Sequence, residues 1–165
     1  MTGARNGGRP PDEGEKAVSA SEDTERMPVS AVPRPAASPG PGARVVVVVE
    51  DDDKLRAVLV RMLGQTYTVY AAEDGVLGID LLLKLGSGAA ALVLDVMMPR
   101  VDGISVARRV KSNPRTRHVP IVFLSAQATP GEVAEGLEAG ASYYVTKPFE
   151  RQDLLDKVGR AIAGK

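Results

Sequence analysis

Apolar and polar positions follow two different periods along this chain, and the pattern starts only near residue 45. Val45–Val49 is an unbroken run of five β-branched residues, as expected of a central parallel strand covered on both faces. Asp53 can then cap a helix reaching about Leu63, with Leu55, Leu59, Met62 and Leu63 as its inward stripe. Residues 66–70 read as a short strand, and Asp74 opens a helix to about Leu85 that Gly86-Ser87-Gly88 breaks. The apolar run at 91–95 is a third strand, and residues 102–111 form a helix that stops before Pro114. Residues 120–125 are a fourth strand, 131–139 a helix ended by Gly140, 143–146 a fifth strand and 150–163 the last helix. Five βα units in about 120 residues predict an α/β fold with a doubly wound parallel sheet and right-handed crossovers. The flavodoxin-like strand order 2-1-3-4-5, with five helices, is the arrangement expected at this size, and its switch point lies between strands 1 and 3.

Residues 1–42 differ in kind. They hold seven of the twelve prolines and lack Leu, Ile, Phe, Trp and Tyr, so they cannot bury enough apolar surface to offset ordering. Their charges nearly cancel, which argues against a basic arm for nucleic acid. The predicted organisation is a disordered tail over 1–42 and a folded domain over 43–165. Met27 offers an alternative start. The full chain carries a formal net charge of zero, no cysteine, one histidine and no tryptophan. Disulfides, thiolate metal sites and cysteine nucleophiles are thereby excluded. No stretch resembles a membrane span or the apolar core of a signal peptide, so the expectation is a soluble cytoplasmic protein with no direct nucleic-acid or membrane contact.

The chemistry collects at strand ends. The first strand runs into Glu50-Asp51-Asp52-Asp53, and the third ends in Asp95. In the predicted order those two strands flank the switch point, so Glu50, Asp51 and Asp95 fall in one crevice. Like charges raise one another's pKa, so such acids either share protons or hold a divalent cation. An all-oxygen set with no His or Cys suits Mg²⁺, or Mn²⁺. Asp52 and Asp53, taken singly, are better read as solvated helix caps. The loop after the first strand has no Gly-x-Gly-x-x-Gly and no Gly-Lys-Ser/Thr cradle, and four consecutive acids there would repel a pyrophosphate. Ser125 ends the fourth strand and Lys147 follows the fifth. A hydroxyl, an ammonium and a metal around one carboxylate would suit a phosphoryl group attached to it.

Taken together, the segments Val49-Glu50-Asp51-Asp52, Leu94-Asp95-Val96-Met97-Met98-Pro99, Asp102-Gly103, Leu124-Ser125-Ala126 and Gly140-Ala141-Ser142-Tyr143-Tyr144-Val145-Thr146-Lys147-Pro148-Phe149 resemble the receiver domain of two-component response regulators, the CheY-like family. The resemblance spans about residues 44–163. It implies that Asp95 accepts a phosphoryl group from a histidine kinase or histidine phosphotransfer protein. It implies that Glu50, Asp51, Asp95 and the Met97 backbone carbonyl hold Mg²⁺, that Lys147 pairs with the acceptor, and that Ser125 and Tyr144 are the switch pair. The Lys147–Pro148 bond would be cis. Glu50 replaces a frequent Asp and Ser125 a frequent Thr, and both keep the needed groups. Met97 and Gln127 flank the path of an attacking water and would tune autodephosphorylation. Leu55 and Val58, with Pro148, resemble a kinase-docking surface, although Leu55 reads equally as core. His118 reads as a solvated loop residue, and Glu132, Glu135 and Glu138 as a solvated face.

The expected protein is thus a signalling switch, not an enzyme beyond its own phosphorylation and autodephosphorylation. Because the chain reaches Lys165 directly after the last helix, its output is expected through contact with an unknown downstream protein, as a monomer or a phosphorylation-linked dimer. The alternatives are a phosphorylation-independent adaptor or scaffold of the same fold and, last, a Mg²⁺-dependent phosphohydrolase. The latter usually has a second acid two residues after its nucleophile, where this chain has Met97.

Overall fold

The computed structural model describes residues 34–164, so most of the predicted disordered tail, residues 1–33, lies outside the described residues. In chain order the elements are β1 (Val45–Val49), α1 (Asp53–Leu63), β2 (Thr68–Ala72), α2 (Gly75–Leu85), β3 (Ala89–Asp95), α3 (Gly103–Ser112), β4 (Ile121–Ser125), α4 (Pro130–Glu138), β5 (Tyr143–Thr146) and α5 (Arg151–Ala163). The five strands form one sheet in the order β2-β1-β3-β4-β5, parallel throughout. Five helices and this order make the flavodoxin-like arrangement, as the sequence predicted.

Alternation along each strand divides the core in two. Val47, Val49, Leu92, Leu94, Ile121 and Phe123 face α2 and α3, which bring Leu81, Leu82, Val106 and Val110. Val46, Val48, Ala91, Val93, Val122 and Leu124 face α1 and α5, which bring Leu59, Leu63, Leu154 and Val158. Both faces being covered is why these strands read as apolar runs and not as alternating ones. Gly78 lets α2 lie directly on β1, because a methyl group there would collide with the Val49 side chain.

Several boundaries differ from the sequence reading. Strand β2 lies two residues later than 66–70. The Thr66 and Tyr67 amides instead donate to the Leu63 carbonyl at 2.9 and 2.8 Å, closing the end of α1. The small Ala71 and Ala72 complete the strand opposite Val48 and Val49. Strand β3 starts two residues early through a register irregularity beside Val45 and Val46, which two alanines of weak strand preference do not announce. Helix α1 is capped by Asp52, not Asp53: the Asp52 carboxylate accepts from Leu55 N at 2.7 Å. Helix α4 begins at Pro130 behind a Thr129–Glu132 capping box, one residue before the predicted start.

Residues 36–38 lie on the outer edge of β2. Ala36 N donates to Val69 O at 2.7 Å, Val69 N donates to Ala37 O at 2.7 Å, and the Ser38 and Thr68 hydroxyls meet at 2.8 Å. Ala37 packs against the α1/α5 core, on Gly64. Among the described residues no helix is long and apolar enough to cross a membrane.

Candidate functional site

Strands β1 and β3 are neighbours whose crossovers leave in opposite directions, and the crevice beyond their C-terminal ends is where open α/β sheets bind ligands. Asp95 is the last residue of β3 and is 2% exposed; Glu50, just past β1, is 1% exposed. Asp51 follows at the exposed rim. One carboxylate oxygen from each of Glu50, Asp51 and Asp95 lies within 4.8 Å of the others. The structure therefore brings together the three acids that the sequence placed in one crevice.

Lys147 answers two of them. Its Nζ donates to Glu50 Oε2 at 3.0 Å and to Asp95 Oδ1 at 3.1 Å, across 97 and 52 residues of sequence. The lysine is positioned by backbone: Lys147 N donates to Ser125 O at 2.7 Å, pinning the end of β5 to the end of β4, and the Lys147–Pro148 peptide is cis. Asp95 Oδ1 also accepts from Met97 N at 3.3 Å, and Glu50 Oε1 accepts from Asp52 N at 3.2 Å. Arg56 on α1 donates to Glu50 O at 2.9 Å and pairs with Asp53, steadying the acidic loop from behind. Gly103 opens α3 against the end of β3, where a methyl group would run into the Asp95 carbonyl oxygen.

The electrostatics follow from burial. Three carboxylates face one ammonium, which offsets only part of their mutual repulsion. Burial raises the Glu50 pKa from 4.5 to about 7; the Lys147 hydrogen bond opposes that shift and the Asp95 charge adds to it. Burial likewise raises Asp95, against hydrogen bonds from Lys147 and Met97. Burial would lower Lys147, but its bonds to Glu50 and Asp95 and their charges outweigh it and hold the ammonium protonated. A buried, all-oxygen, acid-rich donor set with excess negative charge fits a hard divalent cation, which would replace the shared protons.

Ser125 ends β4, and Tyr144 lies within β5, two residues before its end. Ser125 is buried; its hydroxyl donates to Gln127 O and accepts from Gln127 N at 3.2 Å, so it is engaged with the β4–α4 loop. Tyr144 is half-buried, paired in register with Phe123, with ring centroids 5.4 Å apart. Its hydroxyl donates to Glu132 O on α4 at 3.2 Å. The Met97 side chain is 70% exposed and Gln127 is also exposed, both at the mouth of the site. His118 is exposed in the turn before β4, Val58 is exposed on α1, and Leu55 is half-buried against the α1/α5 core. Glu132 and Glu135 are not simply solvated: the first closes the α4 capping box and the second reaches Arg108 at 3.6 Å. The sequence reading missed Arg56 and the backbone of Gln127, and it named Gly103 in a motif without its packing role; these roles rest on close approach and main-chain bonding more than on residue type.

Comparison with known proteins agrees with this geometry. Residues 46–159 match the response regulator receiver domain. The chain is 34% identical over 116 residues to the response regulator PleD of Caulobacter vibrioides, covering 70% of this chain and 25% of that protein. It is 40% identical over 114 residues to the response regulator MprA of a Mycobacterium species, covering 68% and 48%. The chain thus spans between a quarter and about half of the length of these curated relatives. Among solved structures, a putative response regulator from Chloroflexus aurantiacus superposes with a TM-score of 0.68 at 34% identity, covering 73% of this chain and 98% of that one. The receiver domain of the sensor histidine kinase PA1611 from Pseudomonas aeruginosa, solved with magnesium coordinated in its active-site cleft, gives 0.67 at 29% identity and covers 74% and 99%. With matching strand order, strand-end acids and a family match over most of its length, this chain belongs to the receiver-domain family of two-component response regulators.

Proposed function

We propose that Asp95 accepts a phosphoryl group from a phosphohistidine on a histidine kinase or histidine phosphotransfer protein, and that the aspartyl phosphate is the signal. The observation that carries this reading is a buried Asp95 held by Lys147 within 4.8 Å of Glu50 and Asp51, at the crevice of a receiver fold. In the transfer, an Asp95 carboxylate oxygen forms the new O–P bond as the N–P bond breaks, and the bonding electron pair stays on the imidazole nitrogen. Such in-line transfer needs positioning and charge neutralisation more than covalent help. Glu50, Asp51, Asp95 and the Met97 carbonyl are the groups that would hold Mg²⁺, or Mn²⁺, which when bound neutralises charge on the phosphoryl oxygens. Lys147 offsets the acceptor's charge and then meets the phosphate. Ser125 exchanges its Gln127 partner for a phosphate oxygen, and Tyr144 follows the space it leaves. The changed β4–α4 face is read by a downstream protein, so the molecule acts as a switch in the cytoplasm.

Incubation of the purified protein with Mg²⁺ and acetyl phosphate should add one phosphoryl group by intact mass, and Asp95→Ala should add none. Identical labelling of the two proteins sinks the proposal.

A further inference from the structure

Helix α4 touches the rest of the protein through very little. Gly136 is its one residue that is buried in the structure. Its backbone is ordinary right-handed helix, so conformational freedom does not explain a glycine there; alanine would be the better helix former. What explains it is space. A methyl group built on Gly136 would collide with Cε2 of Tyr144, lie 3.1 Å from its hydroxyl oxygen and 3.2 Å from Cδ2 of Phe123. The Tyr144 ring therefore lies directly on the helix backbone, tilted by 53° on Phe123, with its hydroxyl bonded to the Glu132 carbonyl one turn earlier. Glu132 is the residue that closes the α4 capping box with Thr129, and the loop leading to Thr129 is the one that holds the Ser125 hydroxyl through Gln127. A continuous set of contacts thus joins the seat at Gly136 to the Ser125 hydroxyl at the end of β4.

We propose that Gly136 is a positioning residue: its missing side chain is the seat of Tyr144 in the resting protein, and it sets the balance between the resting arrangement and the one adopted around a phosphoryl group. Filling the seat removes a contact that only the resting arrangement has. By population shift, the protein then binds a phosphoryl mimic more tightly, by up to the inverse of the fraction already in the competent arrangement. This inference rests on the phosphoacceptor reading of Asp95.

The test is beryllofluoride binding in the presence of Mg²⁺, measured on wild type, Gly136→Ala, Tyr144→Ala and the double variant. The expected result is binding several-fold tighter in Gly136→Ala than in wild type. In the Tyr144→Ala background the same substitution should change affinity less than about 1.5-fold, because there is no ring left to displace. Unchanged or weaker binding in a folded Gly136→Ala protein overturns the proposal, as does an equal gain in both backgrounds, which would place the effect in the helix and not in the ring. If Gly136→Ala fails to fold while the double variant folds, the ring cannot leave its seat, and the proposal is again overturned. A wild type that binds no beryllofluoride at all would instead remove the reading of Asp95 on which this rests.

Discussion

At the residue scale the decisive competition is between burial and pairing. Glu50 and Asp95 are shut away from water with one lysine between them, and burial wins at both acids. The sign of the pH dependence follows. In the unfolded chain Glu50 releases its proton near 4.5, while the folded protein keeps it until about 7. Between those values the folded state holds more protons, so metal-free stability falls as pH rises through the window and levels off above it. This is the reverse of the usual salt-bridged carboxylate. Thermal melts in chelator at about pH 5 and about pH 7.5 should show the higher Tm at the lower pH, and Glu50→Gln should flatten that difference. A wild-type Tm that climbs over this range would contradict the burial argument. Lys147→Met should leave two buried acids without their cation. The expected outcome is a loss of about 3 kcal/mol at neutral pH, partly recovered on acidification as the acids take up protons. Chemical denaturation at two pH values measures it.

At the element scale, helix ends place the chemistry. The Asp102 carboxylate accepts from Ser105 N at 2.9 Å, and that bond holds its pKa below the ordinary aspartate value. Asp102→Ala should cost about 1 kcal/mol of stability, read as a lower urea midpoint with an unchanged m-value. Most elements were legible because each carries its own period and punctuation: five valines, Asp caps at 74 and 102, and glycines at 86 and 140. The two strand errors have a common cause, which is that they depend on the neighbouring element, whereas the one-residue shifts at the starts of α1 and α4 are local capping choices. The β2 start was hidden because Thr66 and Tyr67 look like strand residues yet serve the end of α1. The β3 start was hidden because a register irregularity is a property of two strands. The acids, Lys147 and Ser125 were legible as residue types at strand ends. Gly136 was not, since nothing in a sequence says which ring a helical glycine will face.

At the scale of the whole molecule, the folded unit extends past its first strand in the N-terminal direction. Residues 36 and 37 bond to Val69, and Ser38 to Thr68, on a strand that would otherwise present an open edge. Two truncated chains, one starting at Arg34 and one at Ala43, should therefore differ. The one starting at Ala43 should melt several degrees lower and self-associate at high concentration, as light scattering or size-exclusion chromatography would report. Equal Tm and equal elution for both would mean that these bonds contribute nothing. The site itself shows a similar long-range dependence, because Lys147 reaches Glu50 and Asp95 only when β1, β3, β4 and β5 are in register.

Outside the native state, Val45–Val49 is a hazard. In the fold it is paired on both sides, and Val46–Val49 are fully covered. On a nascent or unfolded chain the same run is a short, uncharged, β-branched segment of the kind that stacks into intermolecular sheets. Arg44 before it and the four acids from Glu50 to Asp53 after it are the charges that interrupt such stacking. Glu50 and Asp51, which gather around Asp95 in the folded protein, thus also stand among the charges that flank this strand before β2 and β3 pair with it.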